Sequence, residues 1–151
     1  MSLTLTIPKE YGYVLGVATL STVVACWHSV NTAIFRRKAK VPYPNAYCTH
    51  AEAKESKEKY LFNCAQRAHA HYQENHPQML VGLVIGGLKY PVISATMGAA
   101  WCASSVLYTI GYCRKDRTEG KGRVVPGEVA SVIEAVMIIM SGVTGYQILM
   151  S

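Results

Sequence analysis

Residues 11–35 read YGYVLGVATLSTVVACWHSVNTAIF, 25 consecutive positions without an Asp, Glu, Lys or Arg, and they are closed by Arg36-Arg37-Lys38-Ala39-Lys40. A helix that crosses the hydrocarbon core of a bilayer needs roughly 20 mostly apolar residues. Two further stretches have the same character. Pro91–Cys113 carries no charge, and from Val124 onward only Glu128 and Glu134 do. Charged residues make up 16% of the 151 positions, against roughly 25% in ordinary soluble domains. They are gathered into two loops, and these hold the mean hydropathy down to +0.15. A soluble globular enzyme is excluded, and a small polytopic membrane protein is implied. The first run is longer than the roughly 7 to 15 apolar residues of a signal peptide, so it is read as a retained span.

The remaining span is less obvious. Its apolar half, Met79–Leu88, is too short to cross alone, and it reaches span length only as a helix starting near Tyr60 and including Asn63 to Glu74. With that helix the reading is an all-α bundle of four transmembrane helices, about 11–35, 60–88, 91–113 and 127–150, in a single domain over 1–151. Pro42 and Pro44 rule out a helix at Val41-Pro42-Tyr43-Pro44, just after the first span. No length is left for a separate soluble catalytic domain.

Topology follows from counting Lys and Arg. Seven lie between Arg36 and Lys59 and five between Arg114 and Arg123, against Lys9 and Lys89 at the opposite end. Such a bias places both basic loops in the cytosol. It also accounts for the net charge of +6 without a nucleic-acid partner. The five cysteines form no CxxC pair, and His69, His71 and His76 offer no i, i+4 pair, so neither a disulfide framework nor a metal site is expected.

Ionisable groups at membrane depth usually face the bundle interior or a wet cavity and mark function. Arg67, His71 and Glu74 stand at i, i+4 and i+7, on one helical face. A cation and a carboxylate about 10 Å apart along the axis suit the two ends of a zwitterion. Pairing between helices, for instance Arg67 with Glu134, suits the same spacing. Tyr108 and Tyr112 repeat at i, i+4 near the basic end of the third span. Tyr112 fits an interfacial aromatic belt, whereas Tyr108 lies more than a turn inside. Gly82, Gly86 and Gly87 allow close helix approach.

The phrase Phe62-Asn63-Cys64-Ala65-Gln66-Arg67-Ala68-His69, followed by Glu74 and Pro77, resembles the second helix of the membrane-associated proteins in eicosanoid and glutathione metabolism. The likeness extends to Lys9-Glu10-Tyr11-Gly12-Tyr13, to Lys40-Val41-Pro42-Tyr43-Pro44, and to Leu107-Tyr108 with Gly111-Tyr112. It implies a homotrimer of four-helix bundles in the endoplasmic reticulum membrane, or also the mitochondrial outer membrane. Glutathione would be the co-substrate, held between subunits near the cytosolic face, with no metal. The chemistry implied is conjugation of glutathione to a lipophilic electrophile, reduction of a lipid hydroperoxide, or leukotriene C4 synthesis. Carried over by position, Arg36 and Arg37 would hold a glutathione carboxylate. Arg67, His69, His71, Glu74, Tyr108, Tyr112 and Arg114 complete the binding set, and Arg123 and Tyr108 are the catalytic pair. The pattern departs at His71, where the motif has asparagine. It also departs in a longer loop after Tyr112, which leaves the arginine facing the thiol open among Arg114, Arg117 and Arg123. Arg123 is favoured because it directly precedes Val124-Val125-Pro126-Gly127, the start of the last span.

The residue inventory agrees with this reading. Glutathione carries two carboxylates, one ammonium and a thiol, so it asks for several cations, one carboxylate and a group that favours thiolate. Two other functions compete: a non-catalytic, lipid-binding accessory protein on the same fold, and an unrelated tetraspan scaffold or transporter. Neither needs Arg67, Glu74 and Tyr108 together.

Overall fold

The computed structural model describes residues 6–114 and 118–150. These form α1 (Tyr11–Ala39), α2 (His50–Glu55), α3 (Lys57–Gly87), α4 (Pro91–Tyr112), a 3-10 turn (Thr118–Arg123) and α5 (Val124–Leu149). Local chemistry sets most of the ends. Lys40 adopts a left-handed backbone, φ 53°, and turns its N–H back to the carbonyls of Arg36 and Arg37. Arg36, Arg37 and Lys38 occupy that last turn, at the negative end of the helix dipole. Ser56 caps α3 through the backbone N–H of Lys59, and Pro91 opens α4, where its missing N–H costs nothing. Pro77 lies inside α3, so the Gln73 carbonyl loses its helical donor.

The expected boundaries need adjustment at the basic end. The first helix runs on to Ala39 rather than stopping at Phe35, because a basic last turn suits a helix C-terminus. The helix of the second span, α3, begins at Lys57 rather than Tyr60, and that of the last, α5, at Val124 rather than Gly127. The loop between α1 and α3 contains α2, started by a capping box in which the Thr49 side chain and Glu52 bond each other's backbone N–H groups. That Thr-x-x-Glu signature is legible in sequence. The Lys59 ammonium, 2.8 Å from Glu52, and then the Thr49 N–H and hydroxyl hold the Glu52 carboxyl down at about 2.

Among the described residues, three helical stretches are long and apolar enough to cross a membrane: Tyr11–Ala39, Pro91–Tyr112 and Gly120–Leu149. α3 is as long but too polar to qualify, yet it packs against α1, α4 and α5 alike. α3 and α4 form the middle of the bundle, α1 lies along one side and α5 along the other. The core between them is built on Val14, Tyr72, Met79, Leu83, Trp101 and Met137. A Cβ at Gly82 would stand 2.9 Å from Cβ of Met137, so the close approach of α3 and α5 requires glycine there. A second, smaller core of Ala39, Val41, Cys48 and Phe62 closes the basic end. The Asn63 amide fastens it, accepting from the Cys48 N–H at 2.8 Å and donating to the Cys48 carbonyl at 2.9 Å.

Candidate functional site

The face of α3 carrying Arg67, His71 and Glu74 looks toward the start of α5. Arg67 Nη1 donates to both Glu74 oxygens, at 2.9 and 3.0 Å, and the two side chains are 45% and 57% exposed. The pair spans two turns of one helix. The alternative of Arg67 bridging to Glu134 is not formed, since Glu134 is buried on α5. His71 stacks on Tyr108 with ring centroids 4.6 Å apart, and Asn75 Nδ2 donates to His71 Nδ1 at 3.0 Å and to the His71 carbonyl at 2.7 Å. Tyr108 meets Tyr112 edge-on at 5.7 Å. The Arg123 guanidinium lies 4.5 Å over the Tyr112 ring and donates to the Gly120 carbonyl at 2.9 Å. A continuous line His71–Tyr108–Tyr112–Arg123 therefore joins α3, α4 and the start of α5.

Glycines set the last step of that line. A Cβ on Gly111 of α4 would collide with the Gly122 carbonyl, and one on Gly122 with the Gly111 carbonyl. Only two glycines let the 3-10 turn lie backbone-to-backbone on α4, and this contact puts Arg123 against Tyr112. Beside the line runs an open groove of about 410 Å³, with His71, Tyr108, Arg123, Glu128 and Ser131 as its polar lining and Val124 and Val132 as its apolar wall. A cation, a phenol and an imidazole over an apolar wall suit a ligand with an anionic or thiol head and a lipophilic reaction partner.

The other candidate residues lie elsewhere. Arg36 is buried at the basic end. Its guanidinium sits 4.4 Å over Tyr43 and 4.7 Å over Phe62 and donates to the Asn45 carbonyl at 2.7 Å. Arg37 is exposed beside it. Arg114 is exposed and lines a second groove of about 280 Å³ between α1 and α4, with Trp27, Asn31 and Phe35. His69 turns toward α1, its ring 6.4 Å from His28. Arg117 lies outside the described residues. One chain thus gathers Arg67, His71, Glu74, Tyr108, Tyr112 and Arg123, and presents Arg37 and Arg114 separately.

Sequence reasoning passed over Asn75 and Ser131. The signal for Asn75 was available, since it stands four residues beyond His71 and eight beyond Arg67, on the same helical face. Ser131 carries no comparable mark.

Residues 14–143 match the sequence model of the MAPEG family. The chain belongs to the MAPEG family. That family includes glutathione transferases and peroxidases. The three apolar helices make this a membrane protein, as MAPEG members are. The MAPEG match contains the whole Arg67–Arg123 line as well as Arg36, Arg37 and Arg114.

Proposed function

We propose that this MAPEG protein is a glutathione transferase and peroxidase of the microsomal glutathione S-transferase 3 type, acting on lipophilic electrophiles and lipid hydroperoxides and suited to leukotriene C4 synthesis. The observation carrying the reading is the line His71–Tyr108–Tyr112–Arg123 beside the half-exposed Arg67–Glu74 pair. Without ligand, Arg67 and Glu74 satisfy each other. A zwitterion replaces that bond with two, a carboxylate on Arg67 and an ammonium on Glu74, so neither charge is left unpaired when the site empties. The thiol of glutathione titrates near 8.5 in water, as a free thiol does, and an adjacent guanidinium lowers it. Arg123 supplies the guanidinium, and the Tyr108 hydroxyl supplies a donor to the developing thiolate. The thiolate itself attacks the electrophile, so no protein nucleophile is required.

In this reading α3 is the fourth span, shielded from lipid by its neighbours. The second groove, with Arg37 and Arg114 near it, meets the Arg67 face of a neighbouring copy in a homotrimer. Arg37 rather than Arg36 reaches the ligand, because Arg36 is held in the loop core. The basic loops face the cytosol, where glutathione is dissolved, at the endoplasmic reticulum or the mitochondrial outer membrane. The lipophilic partner arrives from the bilayer.

The decisive experiment is glutathione-dependent turnover of a lipid hydroperoxide and of 1-chloro-2,4-dinitrobenzene by the purified protein in lipid nanodiscs. Turnover of either supports the enzyme. Lipid binding with no turnover and no glutathione binding would assign the accessory role instead.

A further inference from the structure

A second, inner cavity lies behind the His71–Tyr108 wall of the groove. His28 of α1, His71 and Tyr72 of α3, Trp101 and Tyr108 of α4, and Glu134 of α5 face it. Measured at a water's centre it is about 10 Å³, room for roughly one water. Three polar atoms of its lining have no hydrogen-bond partner among the described residues: His28 Nε2, Trp101 Nε1 and Glu134 Oε1. Their residues are 1%, 2% and 6% exposed. Buried polar atoms left unbonded are costly and rare, and three around one cavity point to an unseen occupant. An indole N–H can only donate and a carboxylate oxygen can only accept. The Trp101 indole itself lies against the Glu134 carboxyl, and a single water completes what that contact leaves open.

No cation among the described residues forms an ion pair with the carboxyl. Arg67 is engaged by Glu74, and the titratable groups lining the cavity with Glu134 are His28, His71, Tyr72 and Tyr108. His71, Tyr108 and Ser131 line both the cavity and the outer groove, so a proton leaving the groove has a short polar route inward. Of these three, Ser131 donates to the Gly127 carbonyl and His71 has one ring nitrogen taken by Asn75, whereas the Tyr108 hydroxyl carries donor and acceptor on one atom and is taken as the relay.

We propose that Glu134 is the internal proton store of the groove, a positioning residue acting through Tyr108 and one cavity water. This rests on the glutathione reading above. The S–H bond of glutathione breaks with its electron pair left on sulfur. The proton passes to the Tyr108 hydroxyl as that hydroxyl releases its own to the water, and the water protonates the Glu134 carboxylate. When the thiolate attacks a hydroperoxide, the O–O bond breaks, sulfur takes the hydroxyl as a sulfenic acid, and the leaving alkoxide recovers the stored proton as an alcohol. A second glutathione reduces the sulfenic acid, forming the disulfide and water. When the thiolate displaces a halide, the stored proton goes to solvent.

The test mixes glutathione with the nanodisc protein in a stopped-flow instrument, reading thiolate absorbance and, with an indicator dye, protons released. Wild type should form thiolate while releasing well under one proton for each. Glu134→Gln should release a full proton per thiolate and form it about a hundredfold more slowly, with glutathione affinity by calorimetry unchanged. Glu134→Asp should restore proton uptake in part. Equal rates and equal proton counts in wild type and Glu134→Gln overturn the inference. Should Glu134→Gln fail to assemble, the wild-type count decides: a full proton per thiolate from about pH 6 to 8 overturns it as well. If wild type binds no glutathione, the proposed function falls and this inference with it. If wild type binds and ionises it but the variant matches, only the role of Glu134 falls.

Discussion

On α3 two sets of polar residues alternate along the same turns, Arg67, His71 and Glu74 on one side and His69, Tyr72 and His76 on the other, and they meet opposite surroundings. The second set faces α1. The Tyr72 hydroxyl donates to the Ser21 carbonyl, and a His76 ring nitrogen lies 2.9 Å from Ser21 Oγ. His69 approaches His28, whose Nδ1 is 3.3 Å from the Thr109 hydroxyl of α4. Thr32 adds a bond to the Ala65 carbonyl. These groups tie α1, α3 and α4 together, as interhelical hydrogen bonds do where neither helix gains from leaving lipid. The first set makes its charge pair within one helix and leaves the pair half exposed beside a groove. Polar residues at membrane depth are therefore fastening on the α1 side and stand beside an open groove on the α5 side. Intramembrane polarity alone does not say which.

The comparison breaks most readily at the α5 side, where the largest effect is expected. Arg123→Ala should lower turnover about a hundredfold, the scale of losing one preorganised donor to a developing anion, while sparing glutathione affinity, the signature of an interaction made in the transition state. Steady-state kinetics with calorimetry separates the two. A loss of affinity as large as the loss of turnover would make Arg123 a binding group like Arg67. Next comes Arg67→Ala. A charge-assisted hydrogen bond contributes roughly 1.5 to 3 kcal/mol, so glutathione should bind about ten- to hundredfold more weakly. Lys38→Ala, an exposed change at the end of α1, should have little effect. The thermal midpoint of Arg67→Ala should scarcely move, because half-exposed ion pairs contribute about 0 to 1 kcal/mol. Equal, small binding effects from Arg67→Ala and Lys38→Ala would remove the site from α3.

Legibility in the sequence followed the same division. The apolar helices were plain because charge is absent where lipid is the solvent. α3 was harder, since its polar stretch from Asn63 to Glu74 lowers its hydropathy, while the helix is placed by packing against α1, α4 and α5, which hydropathy does not measure. Arg67, His71 and Glu74 were found by spacing, and Tyr108 by its depth. Spacing puts His69 and His71, two positions and hence roughly half a turn apart, on opposite faces, but only the packing shows that the His69 face is the one turned to α1. Nor could spacing foresee that Arg36 would be enclosed between Tyr43 and Phe62. That contact depends on how the loop folds back over α3.

The α1 side offers the complementary test, with a smaller effect. Tyr72→Phe removes one buried hydroxyl bond to Ser21 and should destabilise the bundle by about 1 kcal/mol, seen as a lower unfolding midpoint in detergent. Glutathione affinity should be retained. The result that would sink the division is the reverse, a stable Tyr72→Phe protein that no longer binds glutathione.

The smallest effect lies outside both faces, at α2, and follows from the sign of one shift. The Glu52 carboxyl is held at about 2 by the Lys59 ammonium and by the Thr49 N–H and hydroxyl, against 4.5 for an unperturbed glutamate. A group whose folded value is depressed stabilises the fold fully above its unfolded value and loses that contribution as pH falls toward the folded one. α2 and its link to the start of α3 should therefore hold from neutral pH down to about 4.5 and loosen progressively between about 4.5 and about 2. The pair is at the surface and screened by salt, so the global unfolding midpoint should hardly register it. Proteolytic nicking in the α2 segment should. An acid-active protease such as pepsin should cut there faster at the low end of that window. Thr49→Ala removes the hydroxyl from the capping box and should bring the rise in cutting to a higher pH. The cutting rates at Arg67 and Tyr72 should stay flat throughout, because neither side of α3 depends on this carboxylate. A rise at all three together would mean that α2 is part of the bundle's cooperative core rather than a clip on its basic end.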